Sequence, residues 1–231
     1  MIRIEQLSKR YGETTVLNIP EMEIPRGQIF GLVGNNGAGK TTLFSLLLDL
    51  LQATEGTVTI DEIPVHTSED WKKQTAAFLD DSFLIGYLTP EEYFYFIGEL
   101  RGVSKADVDQ LLATYADFFN GEILNQKKYI RDLSKGNQKK VGVVATCIGE
   151  PELLILDEPF ANLDPTTQIR LKEILLEKAK HTNQTILISS HDIQHVTEVC
   201  ERIAVLEKGE IVKDLQTTAK THKELEAFFT K

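Results

Sequence analysis

The chain has few of the residues that crosslink a fold or bind metals in cysteine-rich sites. It contains 2 cysteines among 231 residues, together with 1 tryptophan and 2 methionines. Cys147 and Cys200 are far apart and do not have the spacing of metal ligands, so neither a disulfide framework nor a cysteine-based metal site is expected. The stability of the fold must therefore come from packing of its own secondary structure.

Long apolar runs are also missing. The longest candidates lie around residues 43–51 and 141–148, and both are short or interrupted, whereas a membrane-spanning helix needs about 20 apolar residues. The first five residues, MIRIE, alternate as in a strand and do not resemble a signal peptide. The sequence therefore predicts a cytoplasmic chain, and any membrane part should belong to another chain.

Positive charge is in deficit, with 25 Lys and Arg against 35 Asp and Glu and a formal net charge of −10. A general nucleic-acid binder needs the opposite balance, so no nucleic-acid partner is expected. Two basic pairs stand out. Lys127-Lys128 is interpreted as solvated surface, while for Lys139-Lys140 both a solvated surface and an attraction for phosphate remain open.

Residues 34–41 read GNNGAGKT and fit the pattern G-x-x-x-x-G-K-(S/T). They lie between a strand-like apolar run and a helix-like run, and glycines let backbone N–H groups approach a phosphate closely. We predict a nucleoside triphosphate site, with Lys40 reaching the β- and γ-phosphates, Thr41 on Mg²⁺ and Thr42 near the α-phosphate. The predicted nucleotide contacts here are Gly34, Asn35, Asn36, Gly37, Ala38, Gly39, Lys40, Thr41 and Thr42. The alternative, a glycine-rich turn with a chance lysine, does not explain the strand-loop-helix context.

A second landmark is the apolar run 153–156, which leads directly into Asp157 and Glu158. Four such residues predict a strand buried on both faces, whose carboxyl end meets the phosphates in a parallel α/β sheet. We predict that Asp157 holds the Mg²⁺ shell and that Glu158 acts as general base toward the attacking water. In the alternative interpretation one carboxylate caps a helix and the other is solvated.

Five separated motifs, together with Tyr11, resemble those of the ATP-binding cassette (ABC) family in the same order. They are the loop 34–42, the signature Leu133-Ser134-Lys135-Gly136-Asn137, the strand and carboxylates 153–158, Ala161-Asn162-Leu163-Asp164 and Ser189-Ser190-His191-Asp192. The resemblance covers essentially the whole chain and is strongest to the exporter-like branch, which moves drugs or peptides.

The resemblance implies an α/β fold: a P-loop NTPase core with a mainly parallel sheet, an antiparallel β-subdomain and a helical insertion. We expect a single ABC ATPase domain over residues 1–231. Its segments 1–82 and 149–231 would form the nucleotide-binding core with the β-subdomain, and 83–148 the helical subdomain with the signature.

Family members pair head to tail, so each ATP lies between the phosphate loop of one protomer and the signature of the other. The residues expected to contact the ATP of the opposite protomer are Ser134, Lys135, Gly136, Asn137 and Asp164. Tyr11 would stack on adenine and His191 would contact the γ-phosphate, as catalytic partner of Glu158 and Lys40. Three alternatives stay open: a surface aromatic for Tyr11, a structural histidine, and a helix cap for Asp164, which precedes Pro165.

Three positions depart from the common family pattern. Asp80 stands where the family usually has a glutamine that touches Mg²⁺, and a carboxylate there could still bind the metal. In the signature, Lys135 and Asn137 replace the usual glycine and glutamine. The Asp80 change puts the coupling between hydrolysis and partner movement in question, while the retained Glu158 predicts a working ATPase.

The resemblance implies an ATP-binding and ATP-hydrolysing subunit of a membrane transporter, needing ATP and Mg²⁺. It would sit on the cytoplasmic face of the cell membrane with a second cassette chain and separate transmembrane permease chains, acting as an exporter. One alternative is a soluble cassette ATPase that acts on a macromolecular or iron–sulfur assembly complex. A metabolite kinase is the other, although it would lack the signature and the histidine.

The helical insertion is rich in aromatic residues. We expect Phe94, Ile97 and Leu100 to pack in its core, whereas two interpretations stay open for a second group. They either pack in the core or line a groove for a membrane partner. These residues are Phe83, Ile85, Tyr87, Tyr93 and Tyr95.

Overall fold

The computed structural model describes residues 1–230 and alternates strands and helices along the chain. In order, the elements are β1 (Ile2–Tyr11), β2 (Thr14–Ile24), β3 (Ile29–Val33), α1 (Lys40–Leu47), β4 (Glu55–Ile60), β5 (Ile63–Pro64), β6 (Thr75–Phe78), α2 (Pro90–Leu100), α3 (Lys105–Thr114), α4 (Ala116–Phe119), α5 (Lys135–Ala145), β7 (Leu153–Leu156), α6 (Pro165–Thr182), β8 (Thr185–Ser190), α7 (Ile193–Val199), β9 (Arg202–Glu207), β10 (Glu210–Gln216) and α8 (Thr221–Phe229). Short 3₁₀ turns connect several of them.

The central sheet has six strands in the order β10-β9-β3-β8-β7-β6. The neighbours from β9 to β6 pair in parallel, and only β10 pairs antiparallel with β9. Every residue of β7 and β8 is buried, as expected for strands covered on both faces, whereas β10 alternates exposed and half-buried residues at the edge. A second, antiparallel sheet has the order β2-β1-β4-β5. Both predicted sheet types are confirmed.

The central sheet separates two hydrophobic clusters. Successive residues of β7 point to opposite faces, so Leu153 and Ile155 join the cluster beneath the antiparallel sheet and α1, while Leu154 and Leu156 join the other. That second cluster also includes buried residues from α2 to α5, so the insertion packs onto the sheet through a continuous core. The division into a core of 1–82 and 149–231 and a helical subdomain of 83–148 stays a prediction.

The sequence of the insertion predicts one helix that starts at Thr89-Pro90 and a second that starts at Ser104 and keeps apolar spacing to Phe119. Both starts are observed. Thr89 and Glu92 form a complete capping box ahead of α2, and the Ser104 hydroxyl accepts a hydrogen bond from the backbone N–H of Asp107. The second helix, expected to continue through the apolar positions to Phe119, instead breaks at Tyr115, whose φ is −97° and ψ is 9°. The break turns the rings of Tyr115, Phe118 and Phe119 into one cluster.

The aromatic residues of the insertion divide between core and surface. Tyr93 is buried, whereas Phe83 and Tyr87 are 55% and 69% exposed. Phe94 is in the core as expected, but the expectation for Leu100 is wrong because it is 68% exposed at the last position of α2. Among residues 1–230, no helix combines the length and the apolar composition needed to cross a bilayer.

Candidate functional site

The phosphate loop joins β3 to α1 at the carboxyl edge of the central sheet. Gly37 and Gly39 have φ of 81° and 109°, which other residues rarely adopt, and a Cβ on Gly34 would lie 2.3 Å from the carbonyl oxygen of Leu206. The loop therefore needs its glycines for backbone shape as well as for access to a ligand. The buried Lys40 ammonium donates to the Gly34 carbonyl over 2.7 Å and closes the loop on itself.

Thr41 and Asp157 meet at the base of this loop. The Thr41 hydroxyl donates to Asp157 Oδ2 over 2.5 Å, and the hydroxyl of Ser189, from the end of β8, donates to Oδ1. Burial raises the pKa of Asp157, although the hydrogen bonds from Ser189 and Thr41 act in the opposite direction. Mg²⁺ in nucleotide sites is usually bound by one or two protein oxygens together with phosphate oxygens and water. The adjacent hydroxyl of Thr41 and carboxylate of Asp157 could supply those protein oxygens.

Glu158 is joined to two other predicted catalytic residues. Its Oε1 lies 3.3 Å from the Lys40 ammonium, and its Oε2 lies 2.9 Å from Nδ1 of His191. The backbone of Glu158 has a φ of 48°, in the left-handed region. The structure thus brings Lys40, Glu158 and His191 together, and it gives neither carboxylate the helix-cap or fully solvated position of the alternative interpretation.

His191 and Tyr11 differ in how firmly they are held. The His191 side chain is 53% exposed but bonded to Glu158, which gives it a partner inside the site. Tyr11, at the end of β1, is 54% exposed, and its ring lies 5.0 Å from the Lys9 ammonium. An exposed ring with one face open to a ligand is compatible with stacking on adenine, which stays a prediction.

The signature residues line a separate cavity of about 350 Å³, which they share with Asp164. Ser134 caps α5 by accepting a hydrogen bond from the N–H of Asn137 over 3.2 Å. Gly136 is required by a close approach, since a Cβ there would lie 2.7 Å from the carbonyl oxygen of Asn162. The predicted contacts to an opposite ATP therefore converge on one surface, in front of a helix N-terminus that can attract anions.

Asp164 has a structural role in addition to its place in this cavity. Its carboxylate accepts hydrogen bonds from the N–H and the hydroxyl of Thr167 at the start of α6, and Pro165 occupies the first turn. These bonds lower the pKa of Asp164, with the Thr167 hydroxyl as the first cause. The helix-cap interpretation is confirmed, and a contact with an opposite nucleotide stays a prediction.

The structure does not group Asp80 with the other predicted metal ligands. The Asp80 carboxylate is exposed and accepts a hydrogen bond from the N–H of Ser82 over 2.6 Å, capping a short 3₁₀ turn. Within residues 1–230 there is no cluster of three or more His, Cys, Asp or Glu residues suited to a metal. Of the three predicted metal ligands, Thr41 and Asp157 are hydrogen-bonded to each other. The Asp80 carboxylate is instead hydrogen-bonded within the turn that it caps.

Lys135 is expected to contact the ATP of the opposite protomer, but its side chain contacts residues of its own chain. Its ammonium lies 3.2 Å from a carboxylate oxygen of Asp81 and 3.2 Å from Oε1 of Gln138, both in the same chain. In this conformation the signature lysine ties α5 to the turn that follows β6. No local pattern could predict Asp81 as its partner, because the two residues are 54 positions apart.

Two further residues of the site lacked an assigned role. Ser189 accepts from the N–H of Glu158 while it donates to Asp157, so one hydroxyl orders both carboxylate residues. Lys139 donates to the Glu158 carbonyl oxygen over 2.6 Å. Lys139 and Lys140 are only 6% and 3% exposed, so the solvated-surface interpretation is wrong for this pair, while Lys127-Lys128 is exposed as expected.

Comparison with known proteins agrees with this geometry. The family described as "ABC transporter" matches residues 17–161. The bacitracin transport ATP-binding protein BcrA of Enterococcus faecalis is 34% identical over 220 residues, covering 93% of this chain and 69% of BcrA.

Solved structures share the fold over nearly the full length. A structure described as the ATP-binding subunit of an ABC transporter superposes with a TM-score of 0.87, at 27% identity and full coverage of both chains. A dimeric post-hydrolysis state of the ATP-binding cassette MJ0796, bound to ADP and Pi, has a TM-score of 0.83 at 22% identity, covering 95% of this chain and all of that one. On these matches and on its own motifs, the chain belongs to the ABC transporter family, as one of its ATP-binding, ATP-hydrolysing cassettes.

Proposed function

We propose that this chain is the ATPase subunit of an exporter and that it closes as a head-to-tail dimer around two ATP molecules. The observation that carries the proposal is the linked set of Lys40, Glu158 and His191, in which the carboxylate lies 3.3 Å from the ammonium and 2.9 Å from the imidazole. A base, a phosphate-binding cation and a second donor in mutual contact fit hydrolysis of a phosphoanhydride with water as the acceptor.

The contacts of Lys40 suggest how the base is held before ATP binds. Its ammonium is shared between the Gly34 carbonyl and Glu158 Oε1. When the β- and γ-phosphates draw the ammonium toward themselves, Oε1 becomes available to accept a proton from the attacking water. The hydrogen bond between His191 and Oε2 would keep the carboxylate oriented while Oε1 accepts the proton.

Thr41 and Asp157 are the residues that would hold Mg²⁺. When bound, the ion would supply positive charge that neutralises the charge developing on the phosphates. The chain's own contribution is the position of these two oxygen ligands, of which Asp157 is held by the Ser189 hydroxyl from β8. We include Asp80 as a third ligand that would bind through Oδ2, since its Oδ1 accepts the hydrogen bond from Ser82.

The second half of each site would come from another cassette. Ser134, Gly136, Asn137 and Asp164 line a cavity that none of the catalytic residues of the same chain lines. A γ-phosphate placed there would meet the N-terminus of α5. The dimeric cassette MJ0796 has the same fold, which makes this arrangement sterically reasonable. The second chain is proposed to be identical, with Lys135 reaching the opposite phosphates once it leaves Asp81.

A permease contact is proposed at an apolar depression beside the turn after β6. A cavity of about 270 Å³ there is lined by Leu50, Trp71, Leu79 and Phe83, among others. Leu50 and Phe83 are 51% and 55% exposed, so both offer apolar surface to a short helix of a membrane partner. Such a contact would hold the chain at the cytoplasmic face of the membrane. The bacitracin transport function of BcrA supports export of a peptide or drug-like compound.

The test combines sedimentation of the Glu158→Gln protein, with and without ATP and Mg²⁺, with turnover of the unmodified protein. We expect dimers of the variant that depend on ATP, and a loss of turnover of about 10²-fold or more, since a positioned general base is worth about 10² to 10⁴ in rate. The Glu177→Gln protein, with the change on the outer side of α6, serves as control. A monomeric variant together with an inactive parent would contradict closure by two identical chains.

A further inference from the structure

We propose that Lys139 is a positioning residue for hydrolysis, which acts on Glu158 through that residue's main-chain carbonyl. The proposal rests on the proposed role of Glu158 as the base. Lys139 lies on α5, the helix that starts at the signature, and its ammonium reaches the carbonyl of Glu158 in the same chain.

The backbone of Glu158 needs support on both sides. Its φ of 48° is in the left-handed region, where a residue with a Cβ persists only if its surroundings impose the conformation. The Ser189 hydroxyl accepts from its N–H over 2.9 Å, and the Lys139 ammonium donates to its carbonyl over 2.6 Å. Two side chains from different elements therefore clamp the peptide groups that aim the Glu158 carboxylate.

The Lys139 stem is itself held in place. Lys139 is 6% exposed, and its ammonium lies 5.9 Å from the centre of the Phe78 ring. One turn further along α5, Gly142 lets that ring pack directly on the helix, since a Cβ there would lie 2.1 Å from Phe78 Cε2. Burial and the neighbouring ring therefore restrict the positions that are open to the ammonium of Lys139.

The charges around Lys139 explain why a cation occupies this position. Burial lowers the pKa of Lys139, while the carboxylates of Asp81, Glu158, Asp157 and Asp80 oppose that shift, in decreasing order. Over residues 1–230, none of these carboxylates is within 4.0 Å of the ammonium, whose hydrogen bond goes to the Glu158 carbonyl. The cation thus balances the acidic site as a whole and makes its directional bond to the backbone of the base.

This arrangement predicts a specific kinetic effect. Among residues 1–230, Lys139 makes no hydrogen bond or ion pair with the phosphate loop, so its removal should leave ATP binding intact. A base that is displaced by about 1 Å can lose about 10²-fold in rate. The expected signature is therefore a loss in kcat with little change in KM, which a general loss of packing does not produce.

The experiment compares Lys139→Met with Lys139→Arg and with the control Lys172→Met. Lys172 is a matched lysine: its side chain is 13% exposed, it pairs with Glu198, and its ammonium is also 5.9 Å from a phenylalanine ring, that of Phe160. For each protein, steady-state ATP hydrolysis, binding of a fluorescent ATP analogue and the melting temperature are measured.

We expect Lys139→Met to lose about 10-fold to 10²-fold in kcat, with KM and analogue binding within about threefold of the parent. Lys139→Arg should recover most of the loss because it restores a charged donor, and Lys172→Met should keep the parent kcat. If Lys139→Met does not fold, Lys139→Leu replaces it, since leucine also lacks a hydrogen-bond donor.

Two results would overturn the inference. One is a parent-like kcat in Lys139→Met; the other is an equal loss of kcat in Lys139→Met and Lys172→Met, which would reflect stability alone. Glu158→Gln is measured in parallel to separate the two proposals. If it hydrolyses ATP like the parent, the role of Glu158 fails and this inference with it, whereas an inactive Glu158→Gln beside an active Lys139→Met removes only the inference.

Discussion

The phosphate-loop face and the signature face of this protein are built in different ways. On the phosphate-loop face, the polar groups already bond to one another: Lys40 to Glu158, Thr41 to Asp157 and Glu158 to His191. On the signature face, the groups either cap helices of their own chain, as Ser134 and Asp164 do, or turn aside, as Lys135 does. The phosphate-loop face is therefore a preformed site. The signature face is a surface that, in the proposed dimer, would bind a phosphate held by the second chain.

The two faces should contribute to the free energy of the proposed dimer in different ways. A preformed cluster loses little conformational entropy when ATP binds, so a single chain can hold the nucleotide. In the proposed dimer, the signature face would gain its contacts when the second chain presents a phosphate. ATP affinity and dimer formation should therefore respond to different substitutions.

The largest expected effect is on the phosphate-loop face. Lys40→Ala removes a buried ammonium that reaches both the loop and Glu158. ATP affinity of the single chain should fall by about 10²-fold, since hydrogen bonds to charged groups contribute about 1.5–3 kcal/mol each. Equilibrium binding of a fluorescent ATP analogue measures it. A change within threefold would mean that the loop binds phosphate through its backbone alone.

A smaller effect, on the other face, comes from Ser134→Ala in the Glu158→Gln background. The ATP-dependent dimer should weaken about tenfold, which corresponds to about 1.4 kcal/mol, while ATP binding by the single chain stays unchanged. Sedimentation over a range of protein concentrations gives the dimer constant.

The control for this prediction is Ser104→Ala. Ser104 caps α3 with the same 3.2 Å bond from a backbone N–H that Ser134 accepts at α5, so both variants lose an equivalent cap, worth about 1 kcal/mol. Equal weakening of the dimer by both variants would show that helix stability, and not contact with ATP, is responsible.

The smallest expected effect concerns pH and the nucleotide-free protein. Because burial raises the pKa of Asp157 above its unfolded value, the folded chain takes up a proton at higher pH than the unfolded chain does. The ionised carboxylate therefore costs stability at neutral pH, and this cost disappears as pH falls through the folded-state pKa.

Asp157→Asn removes that cost. Its melting temperature should exceed that of the parent at pH 7 without nucleotide, and the difference should narrow toward pH 4. Thermal unfolding at several pH values tests it, with parent and variant compared at each pH so that other carboxylates cancel. A variant less stable than the parent at pH 7 would show that the bonds from Thr41 and Ser189 outweigh burial.

Much of the phosphate-loop face was accessible from sequence because its signals are local. The loop 34–42 and the strand before Asp157 each combine a short apolar run with chemistry at its end, and a parallel sheet brings such ends together. The family resemblance predicted both sheets, and local capping sequences predicted the starts of α2 and α3.

What the sequence could not provide depends on packing between distant segments. Lys139 meets Glu158, and Lys135 meets Asp81, only because α5 lies against the ends of β6 and β7. The break at Tyr115 and the exposure of Leu100 depend on tertiary packing, which helical periodicity does not predict. For Asp80, family position suggested a metal ligand, whereas the local turn supplies a competing partner for its carboxylate.

The two cysteines that crosslink nothing make this protein convenient to label. Cys147 and Cys200 are 2% and 3% exposed, and burial raises the pKa of the Cys200 thiol, so neither presents a reactive thiolate to solvent. Cys200 also lies directly behind Gly31 in the central strand, where a reagent could not enter without unfolding. A cysteine introduced on either face can therefore carry a fluorophore selectively in the otherwise native chain, and the approach of two chains becomes a distance that can be followed in real time.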